Sequence, residues 1–179
     1  MLPVAPLMIE HRLIEKMIAV IQKEIRRLER EKIIHPEFID VAVDFIRTYA
    51  DRCHHGKEEE ILFRELNRKE LATDLRRIME ELIEEHRQGR QVTTDLATYK
   101  EAYLRGDREA MPSILNRLRF MVEFYPQHIK KEDKSFFLPC MDYFTPEEKS
   151  AMLAEEYEFD KHLIHELYTD RVTAVETLF

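Results

Sequence analysis

The sequence predicts an all-α protein, an up-down-up-down four-helix bundle with an additional C-terminal helix. Of its 179 residues, 36% are charged and 44% hydrophobic, with three glycines and no tryptophan, which is typical of long amphipathic helices. Apolar residues recur at helical spacing along four long stretches, and each stretch ends at a short turn signal. Short connections between the helices favour antiparallel neighbours. Because the sequence has no long linker, we expect a single domain over residues 1–179, with the bundle at about 6–140.

Turn and capping signals set the predicted helix ends, at about 6–32, 37–67, 73–104 and 108–137. Pro36 separates the first two helices, because proline disfavours helix at the residue before it. Gly106 ends the third helix. Thr145 and Glu148 form a capping-box pattern with Pro146 at the first helical position, which predicts a C-terminal helix at about 146–170.

Charge and cysteine content exclude several classes of protein. The net charge of −8 argues against binding to nucleic acid or to an anionic membrane, since both require a basic face. No apolar run approaches the roughly 20 residues of a membrane helix, and the N-terminus lacks the basic region of a signal peptide. Cys53 and Cys140 are far apart and in no CxxC pairing, so we expect free thiols and a cytoplasmic protein. The sequence does not indicate an oligomeric state.

Histidines interrupt the apolar faces of all four predicted helices. An unpaired imidazole or carboxylate is costly to bury, so these side chains need a reason to be there. The four histidines are His11, His55, His86 and His128. Glu59 follows His55 by four residues, and Glu132 follows His128 in the same way, so each pair lies on one face about 6 Å apart.

Two such pairs on different helices are what a two-metal centre requires. Each carboxylate can bridge both ions, and the histidines complete the coordination of each ion. This donor set suits iron, with manganese and zinc as alternatives, and the lack of cysteine ligands excludes iron–sulfur clusters. One histidine on an apolar face is more often a satisfied core residue, and one HxxxE pair is more often a solvated ion pair. The complete set favours a metal centre.

Two neighbouring residues compete with this assignment. His54 and Glu58 also form an HxxxE pair, but their face passes through Arg47 and other polar residues, so we expect His54 in solvent or behind the ligands. Asp133, five residues after His128, is the alternative to Glu132 as a bridging carboxylate.

Three further residues have roles left open by the sequence. Tyr125 lies on the same face as His128, where its hydroxyl either bonds to a metal-bound ligand or is satisfied within the core. His162 and His165, near the C-terminus, are expected in solvent or behind the ligands.

The segments with His11, His55-x-x-x-Glu59, His86 and His128-x-x-x-Glu132 resemble those of the hemerythrin-like (HHE) cation-binding family. The resemblance covers roughly residues 8–140. The resemblance implies a non-haem di-iron centre in a four-helix bundle, with two iron ions bridged by two carboxylates and an oxo or hydroxo group. In the oxygen-carrying members it also implies reversible binding of dioxygen. Those members have a second histidine four residues after the first on the third helix, whereas this chain has Arg90. We expect Arg90 to bond to a carboxylate behind the ligands.

This substitution influences the expected function. Two octahedral irons need about twelve coordination positions, and a set with four histidines leaves about two of them open. We therefore expect a protein that binds or senses a small ligand such as dioxygen, nitric oxide or peroxide, and not a dedicated enzyme. The alternatives are an oxidase or peroxidase of the di-iron type, and a protein that stores or senses iron.

Overall fold

The computed structural model of the chain describes residues 1–161 and 164–178, and within these ranges it contains helices and no strands. The first long helix is α1 (Val4–Glu31), and the third is α4 (Thr73–Leu104). The second and fourth long helices each consist of several consecutive segments. The second comprises α2 (Pro36–Phe45), π-helical turns at Ile46–His55 and Glu58–Phe63, and α3 (Arg64–Leu66). The fourth comprises α5 (Ala110–Lys131), a π-helical turn at Glu132–Phe136, and α6 (Phe137–Cys140).

The C-terminal region contains two helices where the sequence predicted one. A 3-10 turn at Met141–Tyr143 is followed by α7 (Pro146–Phe159) and α8 (Ile164–Leu178), which we call the C-terminal helix pair. The predicted capping box is confirmed, because Thr145 Oγ1 accepts from the Glu148 amide while the Glu148 carboxylate accepts from the Thr145 amide. Asp160 follows the last residue of α7 and begins the break that the sequence did not reveal.

The long helices pack around a core that a polar layer divides in two. α5 lies between α1 and α4, and α4 also packs against α2. On α1, Leu7 belongs to one apolar cluster and Ile14 to the other, with His11 between them. On α4, Leu82 and Val92 lie in different clusters on either side of His86. The histidines therefore occupy one level of the structure, enclosed above and below by apolar side chains.

The C-terminal helix pair covers one flank of the long helices. α7 packs against the π-helical turn Glu58–Phe63, and α8 packs against α1 and α2. Gly56 permits a close approach here, since a Cβ atom at this position would lie 3.0 Å from Cζ of Phe159. The glycine that interrupts the second helix thus makes room for the end of α7.

Two predictions about the chain as a whole can be compared with the structure. Cys53 and Cys140 are free, as predicted, and both are buried. Among the described helices, none combines the length and the apolar character needed to cross a bilayer.

Candidate metal centre

Seven buried side chains from the four long helices meet in the polar layer. None of them is more than 2% exposed, so the layer is sealed from bulk solvent at these residues. They are His11, His54, His55, Glu58, His86, His128 and Glu132.

The two carboxylates each lie between imidazoles from opposite sides of the layer. Oε2 of Glu132 is 3.1 Å from Nε2 of His11, and Oε1 is 3.2 Å from Nε2 of His128. Glu58 is arranged in the same way, with Oε1 3.6 Å from Nε2 of His54 and Oε2 3.3 Å from Nε2 of His86. A carboxylate placed in this way can offer one oxygen to each of two ions.

The donor atoms fall into two compact groups, within each of which they lie no more than 4.8 Å apart. One group contains His11, His54, Glu58 and Glu132, and the other contains His55, His86 and His128. The rings of His55 and His86 are nearly parallel, with centroids 3.9 Å apart. Two groups joined by two shared carboxylates have the layout of a dinuclear centre.

Inward-facing atoms of six of these seven side chains have no hydrogen-bond partner within the described part of the chain. These unpartnered atoms are Nε2 of His11, His54, His86 and His128, together with both carboxylate oxygens of Glu58 and of Glu132. Each buried polar atom without a partner costs about 1–3 kcal/mol, so such a concentration needs a compensating ligand. Imidazole nitrogens and carboxylate oxygens are the donors that divalent iron, manganese and zinc accept. The residues present therefore fit a pair of metal ions.

The opposite nitrogens of these rings are held by carboxylates. Nδ1 of His11 donates to Asp133 at 2.8 Å, and Nδ1 of His54 donates to Glu10 at 2.7 Å. On the other side of the layer, His86 donates to Glu59 at 2.6 Å and His128 donates to Glu85 at 2.8 Å. A proton fixed on Nδ1 leaves Nε2 with its lone pair facing inwards, as a metal ligand requires.

A cation backs each of these four carboxylates. Arg12 bonds to Asp133, Lys57 to Glu10, Arg90 to Glu59, and Lys131 to Glu85. Each of these four imidazoles thus bonds to a carboxylate, and that carboxylate bonds in turn to a basic side chain. Burial opposes ionisation of Glu10, Glu59 and Glu85, but their imidazole and basic partners lower the pKa of each, so these three remain strong hydrogen-bond acceptors for the rings.

The electrostatics of the layer favour positive charge at His11 and disfavour it at His55. Burial opposes ionisation of Glu132, but His128, His11 and His86 together hold its pKa well below the usual value. Burial also opposes protonation of His11, yet its hydrogen bond to Asp133 and the nearby negative charge of Glu132 raise its pKa to about 10. The pKa of His55 falls well below its usual value because the ring is buried and faces His86 and His128. Protons and metal cations therefore compete for the same inward-facing nitrogens.

The structure places most of the sequence-predicted site residues in this layer. His11, His55, His86, His128 and Glu132 all belong to it. Asp133, the alternative to Glu132, lies behind His11 instead.

Glu59 is placed differently from the expectation. Its carboxylate is 30% exposed and accepts from His86 and Arg90, while Glu58 takes the position between the two groups. His54, expected in solvent or behind the ligands, is 1% exposed and points inwards. The physical reason is the π-helical backbone at Ile46–His55 and Glu58–Phe63, where i→i+5 bonding adds a residue to a turn and shifts the inward face.

Sequence reasoning missed Glu10 and Glu85 as well as His54 and Glu58. The doubled His54-His55 and the run Glu58-Glu59-Glu60 were the available signals, since adjacent identical residues leave the register open. Nothing in the helical spacing marked Glu10 or Glu85, because a carboxylate behind a histidine is recognisable only in three dimensions.

Arg90 and Tyr125 both lie near the layer. Arg90 bonds to Asp51 and Glu59 at 2.7 Å each, which agrees with its expected contact to a carboxylate. Tyr125 is buried, and its hydroxyl has no hydrogen-bond partner among the described residues. Both residues line a cavity of about 250 Å³ beside His55. Of the two C-terminal histidines, His165 contacts Asp160 and Tyr49, whereas His162 lies outside the described residues.

Comparison with known proteins agrees with this geometry. The family model of the hemerythrin HHE cation-binding domain matches residues 2–138. The chain belongs to this family. The hemerythrin-like match includes all seven side chains of the layer and stops before the C-terminal helix pair.

The related proteins with curated descriptions do not specify a function. Uncharacterised proteins from Mycobacterium tuberculosis and Mycobacterium bovis are each 22% identical over 156 residues, or 87% of this chain. The aligned region is 60% of their length, so the hemerythrin-like chain spans about three fifths of these relatives. No solved structure shows a significant match.

Proposed function

We propose that this hemerythrin-like protein is a non-haem di-iron protein that binds or senses a small ligand such as dioxygen, nitric oxide or peroxide. The observation that carries the proposal is the pair Glu58 and Glu132, each with one oxygen towards either group of imidazoles. We further propose that the four long helices form an up-down-up-down bundle around this centre, within one domain. The free thiols of Cys53 and Cys140 fit a reducing compartment, so we place the protein in the cytoplasm.

The donor count supports ligand binding with little free space at the metals. Five imidazoles and two bridging carboxylates, with one bridging oxygen from solvent, would fill about eleven of about twelve positions on two octahedral irons. The His55, His86 and His128 group supplies three imidazoles, whereas the other group supplies two. The remaining position would then lie on an ion held by His11 and His54. The sequence, with four expected histidine ligands, suggested about two open positions. A single open position suits reversible binding of one small ligand better.

The protein contributes orientation and exclusion of water, while bound iron would supply the redox chemistry. Aromatic rings cover the imidazoles: Phe137 stacks on His11 at 5.6 Å between centroids, and Phe124 stacks on His128 at 5.5 Å. The carboxylates behind the rings fix which nitrogen carries the proton. A centre shielded in this way can exchange small neutral ligands while limiting access of water and larger reductants.

Metal analysis with optical spectroscopy tests the proposal. We expect about two iron ions per chain and an optical change on aeration that reverses when oxygen is removed, without net oxygen consumption. Steady consumption of oxygen or peroxide with a reductant would instead show the oxidase or peroxidase alternative. Loss of iron to a chelator within minutes, with altered binding to a partner, would show iron handling. Purified protein with one zinc ion and no iron would refute the di-iron assignment.

A further inference from the structure

The C-terminal helix pair lies outside the family match, yet it makes contact with the metal centre through charged side chains. The hydrogen-bonded chain starts at His54, whose Nδ1 donates to Oε2 of Glu10. The other oxygen of Glu10 accepts from Nζ of Lys57. Lys57 in turn donates to both oxygens of Asp160, at 2.6 and 2.7 Å. Asp160 directly follows α7 and precedes α8, so this row of hydrogen bonds connects His54 to the C-terminal helix pair.

This connection distinguishes His54 from the other three histidines with a carboxylate behind them. Their basic side chains reach solvent, since Arg12 is 55%, Arg90 38% and Lys131 28% exposed. Lys57 is 0% exposed. A fully buried ammonium requires nearby negative charge, and the second carboxylate that provides it is Asp160.

Asp160 influences how strongly Glu10 accepts from His54. An ammonium shared between two carboxylates withdraws less charge from each than an ammonium bonded to one. With Asp160 present, Glu10 keeps more negative charge, which strengthens the hydrogen bond that holds the His54 ring. His165 supports this arrangement, with Nε2 3.1 Å from Asp160 and 3.5 Å from Glu10, and with Tyr49 bonded to its other nitrogen at 2.8 Å.

We propose that the C-terminal helix pair is a working part of the metal centre, in which Asp160 acts through Lys57 and Glu10 as a positioning residue for His54. The inference rests on the proposed di-iron function, and it concerns the ion with the open position. The missing Cβ of Gly56 leaves room for Phe159 at the end of α7, next to Asp160. The helix pair therefore sets how tightly that one ion is held.

Asp160→Asn tests the inference, with Glu155→Gln as the matched control. Glu155 also joins the helix pair to the long helices, through Arg64 at 2.8 and 2.9 Å, but this exposed ion pair leads to no histidine. We expect Asp160→Asn to speed release of one of the two irons to a chelator by up to about 10-fold, because the 10- to 100-fold effect of losing a carboxylate bonded directly to a ligand is passed on through Lys57 and Glu10. The other ion should be released at the wild-type rate, and Glu155→Gln should leave both rates unchanged.

A second measurement separates positioning from a general loss of structure. In zinc-loaded protein, the Nδ1 proton of His54 gives its own NMR signal, and Asp160→Asn should shift it while the corresponding signals of His86 and His128 stay in place. His165→Gln provides a milder variant if Asp160→Asn does not fold, and it should speed release of the same ion to a smaller extent.

The possible results separate this inference from the proposed function. Wild-type protein with two irons, together with unchanged release and NMR signals in Asp160→Asn and His165→Gln, would overturn the inference and leave the di-iron proposal intact. Equal effects of Glu155→Gln and Asp160→Asn would also overturn it, since simple docking would then explain both. Wild-type protein that binds no second metal would overturn the proposed function and the inference with it.

Discussion

Exchanging Glu58 or Glu59 for glutamine tests the register of the second helix, on which the assignment of the centre depends. Glu58 has an oxygen within 3.6 Å of an imidazole on each side of the layer, so Glu58→Gln removes an anionic donor from both ions. Among the described residues, Glu59 bonds to Nδ1 of His86 and to Arg90 and to no other, so Glu59→Gln weakens one ligand from behind. The two changes are chemically identical and one residue apart.

The expected difference is large enough to measure by thermal unfolding. Metal at about 1,000 times its dissociation constant stabilises a folded protein by about 4 kcal/mol. For a chain of 179 residues this corresponds to a rise in Tm of about 8–16 °C. A 10- to 100-fold weaker site in Glu59→Gln would keep about one to two thirds of that rise. Glu58→Gln should lose nearly all of it.

Differential scanning calorimetry with and without Fe(II), under anaerobic conditions, measures these shifts. Each variant is compared with its own metal-free form, so that any change in intrinsic stability cancels. A full metal-induced rise in Glu58→Gln, or complete loss in Glu59→Gln alone, would refute the register given by the π-helical turns.

Three further predictions concern the surroundings of the centre. Gly89→Ala should raise the free energy of unfolding by up to about 1 kcal/mol in urea titrations, because the new Cβ lies at ordinary contact distance, 3.5 Å, from the Tyr125 hydroxyl; a loss of stability would contradict this. Burial raises the pKa of Glu156 to about 8, so folding retains a proton that the unfolded chain releases above about pH 4.5. Wild-type stability should therefore fall by about 2–4 kcal/mol between pH 5 and 8 relative to Glu156→Gln, and parallel pH profiles would exclude this effect. Since the pKa of His11 is raised to about 10, metal must displace its proton, and competition titrations should show affinity decreasing about tenfold per pH unit from pH 8 to 6; an affinity independent of pH would count against His11 as a ligand.

The helices were predictable because local signals and the core pattern agree. The third helix begins at Thr73 and ends at Leu104, as predicted, and Gly106 adopts φ = 98°, where glycine is favoured. The capping box at Thr145 is an equally local signal. The break after Phe159 carries no proline or glycine, so the helix pair was predicted as one helix.

The register of the site was harder to predict, because helical periodicity assumes a constant rise and turn. His11, His86 and His128 lie in regular α-helix, and their inward orientation follows from spacing alone. On the second helix, π-helical turns lie between Phe45 and the inward-facing Glu58. Counting from Phe45 at 3.6 residues per turn therefore places the inward carboxylate at Glu59, one residue too far along the chain. Helical periodicity carries no signal for such turns, so the register of this helix follows from the structure and not from the sequence.

The same π-helical backbone explains how the centre tolerates Arg90. At that position the oxygen carriers have a histidine, and the sequence therefore suggested a centre with one imidazole fewer. In the structure, His55 lies with His86 and His128, stacked on His86, so the second helix supplies the third imidazole of that group. Arg90 bonds to Glu59 behind His86, where a cation strengthens the carboxylate that orients this ring. Because His54 and His55 are both buried in the layer, the second helix supplies one imidazole to each group, and Arg90 lies behind His86 without leaving either group with fewer than two imidazoles.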